Sequence, residues 1–219
     1  MSAHPVCMSI ADFDTSKLFW HGVNTKGKQK VVDLSTNRDS LAWDNRLSLQ
    51  LCSDVSPLIA KWNASPPREE DEDKTKYMLE LLCDDVLLEK LEQMEHFILD
   101  YALNHSREMF KKDLKEEQIR DKFNSLIKRK EGEAPSVLIK MRSADADRPT
   151  EICKVDPEWK RYTTGTIEDL TRSSKVVPIV RTMGLWISEK FGMSLQADKI
   201  LVQPMNNPSF IDSFLLSDK

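Results

Sequence analysis

The chain has 219 residues, 40% hydrophobic and 31% charged, with a formal net charge of −4. That length and balance suit one well-filled domain and exclude a fibrous or wholly disordered chain, since two small domains would each be short of core. The negative charge also argues against tight duplex-DNA binding, whose affinity comes largely from counterion release by many Lys and Arg.

The start of the chain, residues 1–10, has no basic stretch followed by an apolar one, and no apolar run approaches the length of a membrane span. The expectation is an intracellular protein, cytoplasmic or nuclear, with no membrane contact. Cys7, Cys52, Cys83 and Cys153 stand far apart, which argues against a zinc knuckle or a disulfide framework. Residues 17–21 and 29–34 read as strands flanking a turn over 22–27. That turn carries the glycine and lysine spacing of a phosphate loop through Gly22, Gly27 and Lys28. Gln29 stands where Ser or Thr should meet magnesium, however, and a strand follows where a helix is needed, so a hairpin turn explains the glycines.

Leu47, Leu49 and Leu51 alternate with Arg46, Ser48 and Gln50, which predicts a half-buried strand over 45–52 with one wet face. Ser65, Pro66 and Pro67, followed by the acidic run from Glu69 to Asp73, predict a flexible acidic loop over about 64–75. A strand resumes over 76–83. Leu87, Leu91, Met94, Ile98 and Tyr101 then recur at steps of four and three, the stripe of an amphipathic helix that begins near Asp84 and Asp85. A second helix over 115–130, with Ile119, Phe123, Leu126 and Ile127 inward, completes a helical insertion at about 84–130. Beyond Gly132 and Pro135 the pattern turns to strands at 136–142, 150–155, 159–163, 175–187 and 191–204, the last two joined at Ser188, Glu189 and Lys190. The predicted fold is α+β: an antiparallel OB-like β-barrel with a two-helix insertion between strands. It forms a single domain over 1–219, with a C-terminal tail at about 205–219.

Signs of catalysis are weak. There is no Gly-x-Ser-x-Gly elbow and no Cys with a local His partner, and His4, His21, His96 and His105 are scattered, so neither an enzyme nor a metal site nor a cofactor is expected. Asp84 and Asp85 are more simply a helix cap and first-turn charges than paired catalytic carboxylates. What remains is a set of aromatic residues among basic ones on predicted strands: Lys140, Arg142, Trp159, Lys160, Arg161, Arg172, Lys175, Arg181 and Trp186. Rings that stack bases and cations that follow phosphates are what hold a nucleic-acid single strand. The competing reading is that Trp186 and Phe191 are core residues.

From Lys76 onward the sequence resembles the single-stranded-DNA-binding proteins of large eukaryotic DNA viruses, distant relatives of a podophage OB-fold replication protein. The resemblance is carried by the strand from Tyr77 to Leu81, the charged helical insert ending near Lys130, and the stretch from Ala134 to Lys140. The run from Ser174 to Leu195, with Gly184-Leu185-Trp186 and Lys190-Phe191-Gly192, carries most of it. It covers about two thirds of the chain. It implies an OB-type barrel, sequence-tolerant binding of single-stranded DNA with RNA left open, no cofactor, and a role in replication, repair or recombination, at a viral replication site or in the virion. The podophage relatives carry an acidic C-terminal tail. Here the chain closes on Phe210, Ile211, Phe214, Leu215 and Leu216, which suit self-association or docking on a replication partner. The alternative is a viral structural or transcription-complex interaction protein that does not itself bind nucleic acid. A nucleotide-processing enzyme rests only on the defective phosphate-loop pattern.

Overall fold

The computed structural model describes residues 7–27, 29–42, 46–52, 56–156 and 161–203. Its spine is the hairpin of β12 (Lys175–Ile187) and β13 (Phe191–Gln203), paired from Lys175 opposite Gln203 to Ile187 opposite Phe191. Apolar residues make up most of both strands, the composition of a ladder covered on both faces.

Short strands serve each edge of this spine in succession. Along β12 come β5 (Leu58–Ile59), β4 (Ser48–Gln50) and then β3 (Gln29–Ser35). Along β13 come β10 (Glu151–Asp156), β9 (Ser136–Arg142) and β7 (Phe123–Asn124). A second layer of pairings extends these. β2 (Phe19–Lys26) joins β3, β1 (Cys7–Ser9) joins β4, β11 (Arg161–Thr164) joins β10, and β6 (Lys76–Leu82) and β8 (Ile127–Lys128) join β9.

The sheet is mixed, which corrects the expectation of an antiparallel barrel. β1 with β4 and β7, β9 and β10 with β13 are all parallel. The cause is the connections: the helical segment and the long loops return the chain to the spine in the same sense, whereas tight hairpins would reverse it. Nor does a ladder close the sheet. Between β5 and β6 the link is made by the single bridges Ala60–Leu81 and Ser65–Met78.

The helical insertion comprises three helices among the described residues: α1 (Asp85–Asn104), α2 (Ser106–Phe110) and α3 (Glu116–Lys122). The Asp84 carboxylate caps α1 by accepting from the Leu87 N–H at 2.8 Å. The stripe of Leu87, Leu91, Met94, Ile98 and Tyr101 is buried, as the spacing predicts. The second helix stops at Lys122, short of the predicted 130, because stronger partners are available. Phe123–Asn124 pair with β13, and the Glu95 carboxylate of α1 accepts from the backbone N–H groups of Leu126 and Ile127 at 2.7 and 3.1 Å. Leu126 and Ile127 still reach the core, the first in a bend and the second in a strand.

Two local expectations change. Residues 22–26 are strand, and the β2–β3 turn is confined to the neighbourhood of Gly27, whose φ of 62° suits a residue without a Cβ. Ser48 and Gln50, expected to be wet, are buried; β4 is an interior strand, paired with β1 on one side and β12 on the other. The Gln50 amide donates to the Cys52 carbonyl at 3.3 Å.

Candidate nucleic-acid interface

Strand alternation sorts β6 and β9 into two faces. Leu79, Leu81, Val137, Ile139 and Met141 go to the core, while Lys76, Met78, Leu138, Lys140 and Arg142 face outward. Register then aligns residues from four strands across the outer face. Met78 stands opposite Lys140, Lys140 opposite Gln196 of β13, and Gln196 opposite Arg181 of β12. One step further along β9, Arg142 pairs with Lys76.

Trp186 lies at the far end of this face, beside Val31 of β3 and Gly192 of β13. The glycine is required there. A Cβ at position 192 would sit 2.8 Å from the Asn124 carbonyl oxygen and 3.1 Å from Cζ2 of the indole. The indole, half-buried, thus lies over a strip of bare backbone. A bulge in β12 shapes the neighbouring wall. Between Thr182 and Leu185 the register slips, Gly184 takes φ 74°, and Met183 is thrown outward with 46% of its surface exposed. Gly184 has no substitute, since a Cβ there would stand 2.5 Å from the Val32 carbonyl oxygen.

These residues line a groove of about 730 Å³, with Lys26, Arg46, Lys76, Lys140 and Arg142 as its cations and Asp33 as its acid. Asp33 is engaged by Lys26 at 2.6 Å. Lys140 is different. Among the described residues no carboxylate lies within ion-pair distance of its ammonium, although the side chain is half-buried. Burial, and after it the charges of Lys76 and Arg142, push its pKa below the usual lysine value. A cation held among cations in partial desolvation is a site prepared for an anion.

The groove continues into a shallower depression of about 560 Å³ where Arg46, Arg142, Arg148 and Arg181 meet Asp73, Asp145, Asp147 and Asp198. Charge is balanced there by contact. Arg142 donates to Asp73 at 2.6 Å and to the Thr75 hydroxyl at 3.1 Å. The Arg181 guanidinium grips Asp198 through Nε at 3.1 Å and Nη2 at 2.5 Å. The Thr75 hydroxyl, then its backbone N–H and the Arg142 charge, hold the Asp73 carboxyl far below the usual range.

Of the residues singled out in the sequence, Lys140, Arg142, Arg181 and Trp186 line this continuous face. Arg161 is on β11, Lys175 opens β12 at its opposite end, eleven residues from Trp186 or roughly 35 Å at a strand's rise, and Arg172 lies in the turn just before it. Arg172 instead stacks on Trp62, its guanidinium carbon 5.0 Å from the ring centroid. Trp159 and Lys160 lie outside the described residues, as do Phe210, Ile211, Phe214 and Leu215 of the tail and His4. Phe191 is core, fully buried against Phe110 and Phe123. Sequence reasoning missed Lys26, Arg46, Lys76, Met183 and Gly192. The alternation of Lys76 and Met78 with Tyr77 and Leu79 signals which side Lys76 takes, but only the β6–β9 register reveals that it stands beside Arg142.

No helix among the described residues is long and apolar enough to cross a membrane. No protein-family model matches the chain, and no curated protein matches it. Among solved structures it is similar to the single-stranded DNA-binding protein from bacteriophage Enc34. In complex with ssDNA, that protein shows 12% identity over 70% of this chain and 86% of its own, with a TM-score of 0.43. A C-terminal truncation of it gives 10% identity, 70% and 85% coverage and a TM-score of 0.42. A further structure of it gives 9% identity, 90% and 99% coverage and a TM-score of 0.42. A likeness at that level leaves function to be argued from the residues of this chain.

Proposed function

We propose that the chain binds single-stranded nucleic acid, with little regard to sequence, along the outer face of β6, β9, β13 and β12. The circuit of these strands, returning to β5 through the Ala60–Leu81 bridge, serves in this reading as an OB-like barrel, with the groove on its outer face. Lys140 carries the reading, as a half-buried ammonium with cations for neighbours and no described carboxylate in reach, at one end of a groove whose other end holds an indole. A phosphodiester supplies the missing counter-charge, and a base supplies the partner for the ring. Lys76 and Arg142 meet adjacent phosphates, Arg142 by exchanging Asp73 for the ligand. Arg181, bound bidentately to Asp198, shapes the wall and contributes its field. Beside the cations that follow a phosphate backbone, the groove offers few uncharged polar side chains, those of Gln29, Gln196, Ser194 and Thr182, which suits backbone tracking more than base reading. Sequence tolerance of this kind fits replication, repair or recombination, where strands of any sequence are exposed.

The test is a titration of the full chain with oligo-dT of about 20 bases, longer than one OB fold's typical site, and with a duplex of equal length. Tryptophan quenching is expected with the single strand. Three phosphates neutralised by Lys76, Lys140 and Arg142 give log K a slope of about −2 against log salt. Absence of binding at low salt, or equal binding of the duplex, overturns the reading.

A further inference from the structure

The groove does not end at Trp186. Gln29, on its rim, also lines a second cleft of about 750 Å³ between the tip of the β12–β13 hairpin and helices α2 and α3. The two spaces abut because neighbouring residue pairs open onto opposite sides of the sheet end: Trp186 pairs with Val31, and Ile187 with Lys30. The cleft is cationic. Lys30, Lys112 and Lys122 line it with Glu189 as the acid, and among the described residues none of the three lysines has a carboxylate within ion-pair distance. Lys30 donates to the Met109 carbonyl at 3.3 Å and Lys122 to the Glu189 carbonyl at 2.9 Å. Those bonds fix the direction of both ammonium groups without neutralising them. Phe110, half-buried, supplies a ring, with Lys122 5.6 Å from its centroid and Phe191 against its edge at 5.7 Å.

Resting on the single-strand reading of the groove, we propose that this cleft is a second subsite for the same strand. The strand passes over Gln29 at the end of the sheet. Lys30, Lys112 and Lys122 then take its next phosphates, and a base lies against Phe110. The helical insertion thereby extends the length of strand covered as well as packing the core.

The experiment compares two oligo-dT probes on the full chain: one of about 6 bases, which the groove alone accommodates, and one of about 20. The variants are Lys112→Glu, an exposed position that makes no described hydrogen bond, and Lys112→Ala/Lys122→Ala. Both variants are expected to bind the short probe as the unmodified chain does. The long probe is expected to weaken about tenfold in the double variant, and its salt slope to shrink by about 1.4, two phosphates' worth. Unchanged long-probe affinity and slope in both variants overturn the subsite while leaving the groove standing. Equal losses for both probes also overturn it, since the lysines then act through the groove or through the fold. Failure of the unmodified chain to bind either probe overturns the groove itself.

Discussion

Two tryptophans, Trp186 half-buried and Trp62 exposed, border the outer surface of this sheet in opposite electrical settings. Trp186 overlooks five cations and one acid, already paired. Trp62, 48% exposed, borders a cleft of about 820 Å³ beside the acidic loop, where Arg68, Lys76 and Lys128 face Glu70, Asp71, Glu72, Asp73 and Glu80. Its ring already carries the Arg172 guanidinium. The acidic loop is part of the surface's charge pattern, and the last residue of its acidic run, Asp73, reaches over to Arg142 and Lys76. An indole ring is common to both places; the prior claim of Arg172 on Trp62 and the sign of the surrounding charge separate them. A polyanion is drawn to the first and repelled by the second.

The largest effect that sharpens this contrast comes from the rings. Trp186→Ala is expected to weaken oligo-dT binding about tenfold or more, from the loss of about 1–3 kcal/mol of stacking. Trp62→Ala is expected to change it less than about twofold, and a reversal of that order breaks the comparison.

Lys140 gives the next effect, of a kind a structural residue does not show. Its folded-state pKa is depressed, so the charged form is penalised in the folded protein. That penalty is present below the folded pKa and is relieved as pH rises through it. Lys140→Met is therefore expected to weaken binding by roughly fivefold to tenfold while leaving the Tm unchanged or raised by roughly 2 °C. In the unmodified chain, affinity should fall at a lower alkaline pH than ordinary lysines dictate, and the variant should lack that fall.

The smallest effect belongs to the acidic side. Burial pushes the Glu80 carboxyl up, but hydrogen bonds from the Ser136 hydroxyl, Lys128 and Lys61 outweigh it and bring the pKa to about 2. A depressed carboxyl contributes stability above its unfolded value near 4.5 and loses it as pH falls toward 2. Glu80→Gln should cost about 1–2 kcal/mol at neutral pH, with Lys128 half-exposed and screening its share, and little at pH 2. Thermal unfolding at both pH values measures it, with no change in oligonucleotide binding.

Legibility in the sequence followed the range of the interactions. The α1 stripe and its Asp84 cap are set by residues three and four apart, and they appear where the spacing puts them. The long β12–β13 hairpin, marked by Ser188 to Lys190, is equally local. Lys140, Arg142 and Trp186 were chosen for residue type and strand position, and the groove brings them together. What was hidden is long-range. The parallel pairings onto β13, the truncation of α3 by Glu95, and the meeting of Lys76 with Arg142 all join segments 30 or more residues apart, through partners no local pattern encodes. The neighbour of Arg172 was hidden for the same reason, since it is Trp62, 110 positions earlier in the numbering.

The central claim, that a single strand lies across Trp186 and Lys140, is tested most directly by photocrosslinking. Oligo-dT carrying bromodeoxyuridine is irradiated with the full chain, and the modified peptides are mapped by mass spectrometry. Adducts concentrated on Met183 to Trp186, and lost in Trp186→Ala, are the predicted result; adducts on the Trp62 peptide with none in the groove would contradict it.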